Sequence, residues 1–434
     1  MTAATTAATT GPTPLHAGAA EAIRSTIGRV LAGVNALSAG GPGWTRPSYS
    51  ELESRAHAVV EAEARALGLE VSRDHAGNLF ARMRGREPGL PPLYCGSHLD
   101  TVAEGGAYDG PAGVAGALAL VAGLRAARLT PRADVVLTVT RAEESVWFPV
   151  SYIGSRAALG RLLPEEMQAR RIDTGRSLAD HMRDQGFDPE ALLGAAPPPP
   201  ARFLEFHIEQ GPVLDRAGEP YGIVTAIRGG LRYRAASVHG AWAHSGGAPR
   251  EGRADAVVAF ADLVMAMDRV WAAMLAEGAD LTVTFGRVDA ASPAHAMAKV
   301  AGRLDFCLDL RSGDVAVLEA ADRALREQIA RIAAERPGIR VDLGAQSRSQ
   351  PARLSPAMID WVAAGAARQG QAPRRMLSGG GHDAAAFATA GWDSVMVFVR
   401  NWNGSHCPEE GMDPADLALA VEAVFAALAA DAAP

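Results

Sequence analysis

The fold turns on Leu93-Tyr94-Cys95-Gly96-Ser97-His98-Leu99-Asp100-Thr101, with Tyr108-Asp109-Gly110 shortly after it. An apolar run that ends in His and Asp reads as a buried strand delivering polar side chains at its C-terminal end. His98 and Asp100 are two apart, so on an extended chain they point to the same side. That spacing lets Asp100 hold one ring nitrogen of His98 while the other stays available to a metal ion. Asp109, after the pair Gly105-Gly106, can swing back towards the same point.

Outward from this stretch the pattern repeats. Gly113 to Leu129 is apolar on nearly every face and is predicted as a buried helix. Ala133 to Thr140 is predicted as a second buried strand, ending at Arg141-Ala142-Glu143-Glu144. Strand, helix and strand with polar residues at the strand ends imply an open α/β fold. Upstream, Ser50 and Glu53 form a capping box for a helix that runs through Leu67 and stops at Gly68. Strands at Leu69–Arg73 and Asn78–Met83 follow it. Residues 160–200 read as polar and helical in parts, closing in a stiff loop, Pro197 to Pro200. Phe203 to Ile208 is another strand and carries His207-Ile208-Glu209-Gln210-Gly211.

The composition then changes. Strands are predicted at Tyr221–Arg228 and Leu231–Val238, a helix at Arg253–Leu275, and strands at Leu281–Val288 and Arg303–Leu310. A helix at Asp314–Ala334 and a strand at Ile339–Leu343 complete the order β-α-β-β-α-β, the ferredoxin-like signature. We assign residues 216–345 to this inserted domain, and 20–215 with 346–434 to the domain it interrupts. The first domain resumes with a helix at Pro356–Arg368, a glycine-rich turn at Gly379–Asp383 and a strand at Ser394–Arg400. A polar loop containing His406 and a helix at Pro414–Ala430 close it. Residues 1–19, rich in Ala, Thr, Gly and Pro, read as a disordered tail rather than a signal peptide.

Hydrophobic residues make up 48% of the 434, charged residues 21%, and the net charge is −7. With no Lys/Arg cluster, a nucleic-acid or anionic-membrane partner is not expected. Nor is a membrane span, since no long apolar stretch is free of charges, Gly and Pro. Three scattered cysteines, Cys95, Cys307 and Cys407, suggest no disulfide framework and point to a reducing, cytoplasmic location.

The strand-end residues of the first domain are His98, Asp109, Glu143, Glu144, His207 and His406. Imidazole and carboxylate ligands suit zinc and its first-row neighbours, and one bridging carboxylate can serve two ions. Adjacent glutamates diverge, so one can ligate while Glu143, the spare carboxylate, acts as general base on a metal-activated water.

Gly-Ser-His-Leu-Asp-Thr with Tyr-Asp-Gly, the Glu-Glu pair, His-Ile-Glu-Gln-Gly-Pro, Gly-Gly-His-Asp and Ser-His-Cys-Pro-Glu-Glu together resemble the M20 metallo-amidohydrolases. More narrowly they are similar to the hydantoinase/carbamoylase branch: N-carbamoyl-L-amino acid hydrolases, β-ureidopropionases and allantoate amidohydrolases. The resemblance runs from about residue 20 to the C-terminus. It implies a zinc-hydrolase catalytic domain plus a ferredoxin-like lid and dimerisation domain. It implies two divalent ions, zinc first, with manganese, cobalt or nickel as alternatives. His98 and His207 would bind one ion, Glu144 and His406 the other, and Asp109 would bridge, with Glu143 as base. Gln210, Gly380, Gly381 and His382 would contact substrate, His244 would stabilise the oxyanion, and Arg311 would grip a substrate carboxylate. Read from the residues alone, Arg311 could fork onto a carboxylate, but a surface salt bridge at a strand end is the favoured reading. His239 and His295 are left structural.

The implied activity is hydrolysis of a linear C–N bond in N-carbamoyl or related N-substituted amino acids. The rivals are an N-acyl amino acid amidohydrolase or dipeptidase, and a non-catalytic binding protein. The implied assembly is a homodimer through the inserted domain, with His244 supplied across the interface. Three departures stand out. Trp147 occupies the family's usual Arg position, Ala298 its usual Asn, and the lid motif reads His-Ser-Gly-Gly-Ala-Pro-Arg. The first two suggest a more apolar substrate pocket, or one that has given up a polar contact.

Overall fold

Leu93–His98 is an inner strand of a nine-stranded sheet. In the computed structural model, which describes residues 17–290 and 294–432, the strand order begins Glu70–Arg73, Leu79–Met83, Val135–Thr140, Leu93–His98. It continues Arg202–Ile208, Asp393–Val399, Tyr221–Ile227 and Ala352–Arg353, with Arg374–Ser378 also along Tyr221–Ile227. The four central strands run parallel, with His98 beside Thr140 and His207 beside Phe398. Their C-terminal ends therefore open on one side, where an open α/β sheet places its ligands. Every residue of Val135–Thr140 is buried, which is why it reads as an unbroken apolar run. Outside these four, Glu70–Arg73, Leu79–Met83 and Tyr221–Ile227 pair antiparallel with their inner neighbours.

The helix Pro111–Ala126 is buried from Pro111 to Leu124 and packs against helices Ala17–Asn35 and Pro414–Asp431. Helix Ala17–Asn35 carries its own apolar stripe, with Ile23, Ile27, Val30 and Val34 fully buried. The sequence reading did not find this helix. It starts inside the stretch taken as a tail, and residues 1–16 lie outside the described residues. Ser50 caps helix Glu51–Ala66 by accepting from Glu53 N at 3.3 Å, but the Glu53 carboxylate turns to Tyr49 N, at 2.7 Å, and to other buried donors. The segment read as polar contributes Met167, Leu178 and Met182 to an apolar cluster that they share with Trp147, Phe148, Ile153 and Tyr49.

The chain divides into two units, one formed by residues up to Thr225 with those from Arg353 onward, the other Ala226–Ala352. The boundary falls later than 216 because Tyr221–Ile227 joins the large sheet, pairing antiparallel with Asp393–Val399. The second unit is an antiparallel sheet with Gly229–His239 and Arg303–Ser312 at its centre. Val288–Asp289 and Thr282–Thr284 flank the latter, and Arg340–Asp342 and Gln346–Ser349 flank the former. The expected single strand Leu281–Val288 is thus two short pieces. Helices Ala256–Ala276 and Val315–Glu335 are capped by the carboxylates of Asp255 and Asp314. Alternate residues of Arg303–Ser312 (Leu304, Phe306, Leu308 and Leu310) are buried among Phe260, Leu263 and Leu325.

Candidate functional site

The parallel strand ends bring five of the sequence-selected residues into two groups, His98–Asp109–His207 and Asp109–Glu144–His406, each with its ligand atoms within 4.8 Å of one another. Asp109 belongs to both. Its Oδ1 lies 3.2 Å from His207 Nε2 and 3.6 Å from His98 Nε2. Its Oδ2 lies 3.2 Å from His406 Nε2, which is equally far from Glu144 Oε1. Glu143 stands beside the first group, with Oε2 4.0 Å from His98 Nε2.

The tautomers decide what this arrangement can hold. His207 Nδ1 is 3.0 Å from the Ile208 carbonyl and His98 Nδ1 is 3.0 Å from the Asp100 carbonyl, so in the neutral rings both Nδ1 atoms carry the proton. Each Nε2 then presents a lone pair to the Asp109 carboxylate. His207 Nε2 is buried and has no hydrogen-bond partner. A buried acceptor facing another acceptor is unsatisfied unless a cation or a proton lies between them. The donor set of imidazoles and carboxylates therefore fits a divalent ion.

The pKa values express the same competition. Burial lowers the His98 pKa, but the Asp100 hydrogen bond and the charges of Glu143, Asp100 and Asp109 outweigh it and hold it well up. His406 is raised to about 11 by hydrogen bonds to Asp109 and Glu144. Burial raises Asp109, yet His207 and His406, which donate to it once protonated at Nε2, keep it well below the usual carboxylate range. Burial pushes Glu143 well up, with the Glu144 and Asp383 charges adding to the rise against His98. His382, buried beside His207 at 4.4 Å between ring centres, is pushed well below its ordinary value by burial.

Asp100 ties the site together. Its Oδ1 accepts Glu143 N at 3.1 Å and its Oδ2 accepts Glu144 N at 3.2 Å and Ser48 Oγ at 2.6 Å. Oδ1 is also 3.3 Å from His98 Nδ1, so the carboxylate assists the ring while the Asp100 carbonyl makes the shorter bond. Glu410 holds the loop of Asp109, accepting Tyr108 N and Asp109 N at 2.9 and 3.2 Å. Ser405 Oγ lies between Asp109 Oδ2 and Glu410 Oε2, at 2.6 and 2.7 Å. Ala142 and Gln210, just beyond strand ends of the site, and His406, on its loop, hold φ of +51°, +62° and +61°. Non-glycine residues persist in that region where their surroundings over-determine them, often at functional sites.

Other expected contacts fall differently. Gln210, expected to face substrate, donates from Nε2 to Asp109 Oδ2 at 2.7 Å. Gly380 packs against Gln210 and Gly381 against Tyr152, where any Cβ would collide with those side chains. Trp147 is buried in the apolar cluster and donates from Nε1 to the Thr101 carbonyl at 2.7 Å. Ser48, Glu53, Arg141 and Glu410 were not selected from the sequence. For Glu53, Arg141 and Glu410 the signal was only the rarity of buried charge, which shows once the fold is known.

In the second unit, His244 is exposed and its Nδ1 accepts from Gly246 N and Gly247 N at 3.2 and 3.0 Å. In the neutral ring the proton is therefore on Nε2. Arg311 Nε donates to Asp309 Oδ2 at 2.8 Å. Ala298 is exposed, and its carbonyl accepts from Ser245 N.

A family model described as peptidase family M20/M25/M40 matches residues 94–430. The N-carbamoyl-L-amino-acid amidohydrolase of Paenarthrobacter aurescens is 33% identical, over 90% of this chain and 93% of its own length. The allantoate amidohydrolase of Escherichia coli is 31% identical, over 88% and 91%. Among solved structures, a hydantoinase/carbamoylase family amidase from Burkholderia ambifaria matches with a TM-score of 0.82 at 29% identity, covering 94% of this chain and 98% of that one.

Proposed function

Since the chain belongs to peptidase family M20/M25/M40, in its hydantoinase/carbamoylase branch, we propose that it hydrolyses a linear C–N bond in an N-carbamoyl (ureido) amino acid or a related N-substituted amino acid. The observation that carries this reading is the pair of imidazole lone pairs, from His98 and His207, turned on the Asp109 carboxylate at the strand ends. The residues we assign to metal are His98 and His207 for one divalent ion, Glu144 and His406 for a second, and Asp109 for both. Bound there, zinc (or manganese, cobalt or nickel) supplies Lewis acidity towards the scissile carbonyl and lowers the pKa of a water.

The chain's own residues do the rest. Glu143 takes the water proton and passes it to the leaving nitrogen; its buried setting disfavours the charged form and so strengthens it as a base. Asp100 keeps Glu143 and Glu144 diverging by holding both backbone N–H groups. His244 donates from Nε2 to the oxyanion, a role its Nδ1 contacts favour. Arg311, steadied by Asp309, reads the substrate carboxylate as a planar fork. Gln210, Gly380, Gly381 and His382 complete the substrate side. A carbamoyl substrate yields an amino acid, carbon dioxide and ammonia.

We further infer a homodimer through the second unit. Val258, Met265 and Leu275 of helix Ala256–Ala276 are 45%, 53% and 47% exposed, an apolar stripe that a second copy would cover. No helix among the described residues is long and apolar enough to cross a membrane. The free cysteines suit a reducing, cytoplasmic setting. The test is a panel of N-carbamoyl, N-formyl and N-acyl amino acids with zinc, manganese and cobalt. Ammonia release from N-carbamoyl substrates is expected; turnover of N-acyl substrates alone, with no ammonia, would overturn the ureido assignment.

A further inference from the structure

Glu143 and Glu144 leave their strand through Arg141 and Ala142, and every backbone group of this turn up to Glu144 N has a partner. Arg141 N donates to Asn78 Oδ1 at 2.9 Å, and the Arg141 carbonyl accepts from Gly154 N at 2.8 Å. The Ala142 carbonyl accepts from Ile153 N at 3.1 Å and the Glu143 carbonyl from Tyr152 N at 3.3 Å. Asp100 takes Glu143 N and Glu144 N. The remaining donor, Ala142 N, goes to Glu53 Oε1 at 3.0 Å. Ala142 is the residue in the left-handed region, and Glu53 is what its amide rests on.

Glu53 is fully buried and is itself held from three directions. Its Oε2 accepts Tyr49 N at 2.7 Å and Arg141 Nη1 at 2.9 Å, besides the Ala142 bond at Oε1. Arg141 in turn donates from Nε to the Gly77 carbonyl at 2.9 Å and lies 4.6 Å over the Phe187 ring. Gly154 has to be glycine, since a Cβ there would meet Arg141 N and O at 2.4 and 2.3 Å. A buried ion pair costs much desolvation and stabilises little in net terms. Its use here is geometric, since one carboxylate fixes both the Arg141 side chain and the strained amide that aims Glu143.

We propose that Glu53, with Arg141, is a positioning residue that sets the direction of Glu143, so that its loss lowers kcat while metal occupancy and KM stay near wild type. The proposal rests on the assignment of Glu143 as the base. In Glu53→Gln one oxygen becomes an NH2 group, which must face either Ala142 N or the Tyr49 and Arg141 donors. The expected result with N-carbamoyl substrates is a kcat about 10- to 100-fold lower, the scale of a misplaced reacting group. Metal content by elemental analysis should be unchanged. Glycine adopts positive φ without a brace, so Glu53→Gln/Ala142→Gly should regain much of the lost kcat, which a merely structural defect would not. If Glu53→Gln does not fold, Glu53→Asp replaces it: it keeps a charge for Arg141 but falls a methylene short of Ala142 N. A folded variant with wild-type kcat, a loss that follows metal content or KM, or no recovery on adding Ala142→Gly overturns the proposal. Glu143→Gln measured alongside separates the two readings: if that variant stays active, the base assignment fails, whatever Glu53→Gln does.

Discussion

Asp100→Asn tests how the site is held. The carboxylate has Glu143 N and the His98 ring at Oδ1, and Glu144 N and the Ser48 hydroxyl at Oδ2. Whichever way the amide turns, its NH2 group faces a backbone N–H. Ser48 can rotate to accept instead of donate, so the NH2 group settles on the Oδ2 side and strands Glu144 N. A stranded buried N–H costs about 1–3 kcal/mol, a factor of about 5 to 150 in an equilibrium constant. The cost falls on Glu144, a proposed ligand, so zinc affinity should weaken by about 10- to 100-fold, the usual range for groups that orient ligands. Titrating metal-stripped protein with zinc against a chromophoric chelator measures this, with near-UV circular dichroism to check the fold. At saturating zinc, kcat should largely recover. Wild-type affinity in a folded Asn variant would refute the reasoning, as would a kcat loss that no zinc concentration restores.

Asp109→Ala should release both ions, because one carboxylate faces both groups; two ions still bound would remove it as the bridge. Arg311→Lys should raise KM for substrates with a free α-carboxylate and leave the matching amides nearly unchanged, since an ammonium cannot make the paired contact. Equal losses on both would show that Arg311 does not read the carboxylate. Zinc binding at neutral pH should release protons, since His98, His207 and His406, the last near 11, are shifted up in the metal-free site. These rings are protonated below their raised pKa, so apparent metal affinity should rise with pH across the neutral range. Calorimetry in buffers of different ionisation enthalpy checks this, and a heat independent of buffer would contradict it.

Much of this was legible in the chain because parallel strands buried on both faces are continuous apolar runs, and their ends are where the polar residues begin. His98, Glu144 and His207 lie at or just beyond such ends, and Asp109 and His406 on the loops that return to them. The alternation of Arg303–Ser312 was visible for the same local reason, whereas Asp255 and Asp314, read as helix residues, turn out to be the caps of the two helices. What was not legible depends on contacts between distant residues. Glu53 meets Arg141 across 88 positions, and no local pattern marks either as buried. Trp147 looked like a pocket residue because its family counterpart is polar, yet its ring joins the apolar cluster and its N–H closes on Thr101. Tyr221–Ile227 was assigned to the inserted domain because a strand carries no mark of which sheet it joins. Helix Ala17–Asn35 was masked by the Ala/Thr/Gly composition before it.

The most direct test of the central claim is the turnover and metal content of Glu143→Gln, which removes a base and no ligand. The expected result is a rate lower by about two to four orders of magnitude at an unchanged metal content. A variant that keeps more than about a tenth of the wild-type rate, or that loses its rate only because it loses metal, would contradict the account.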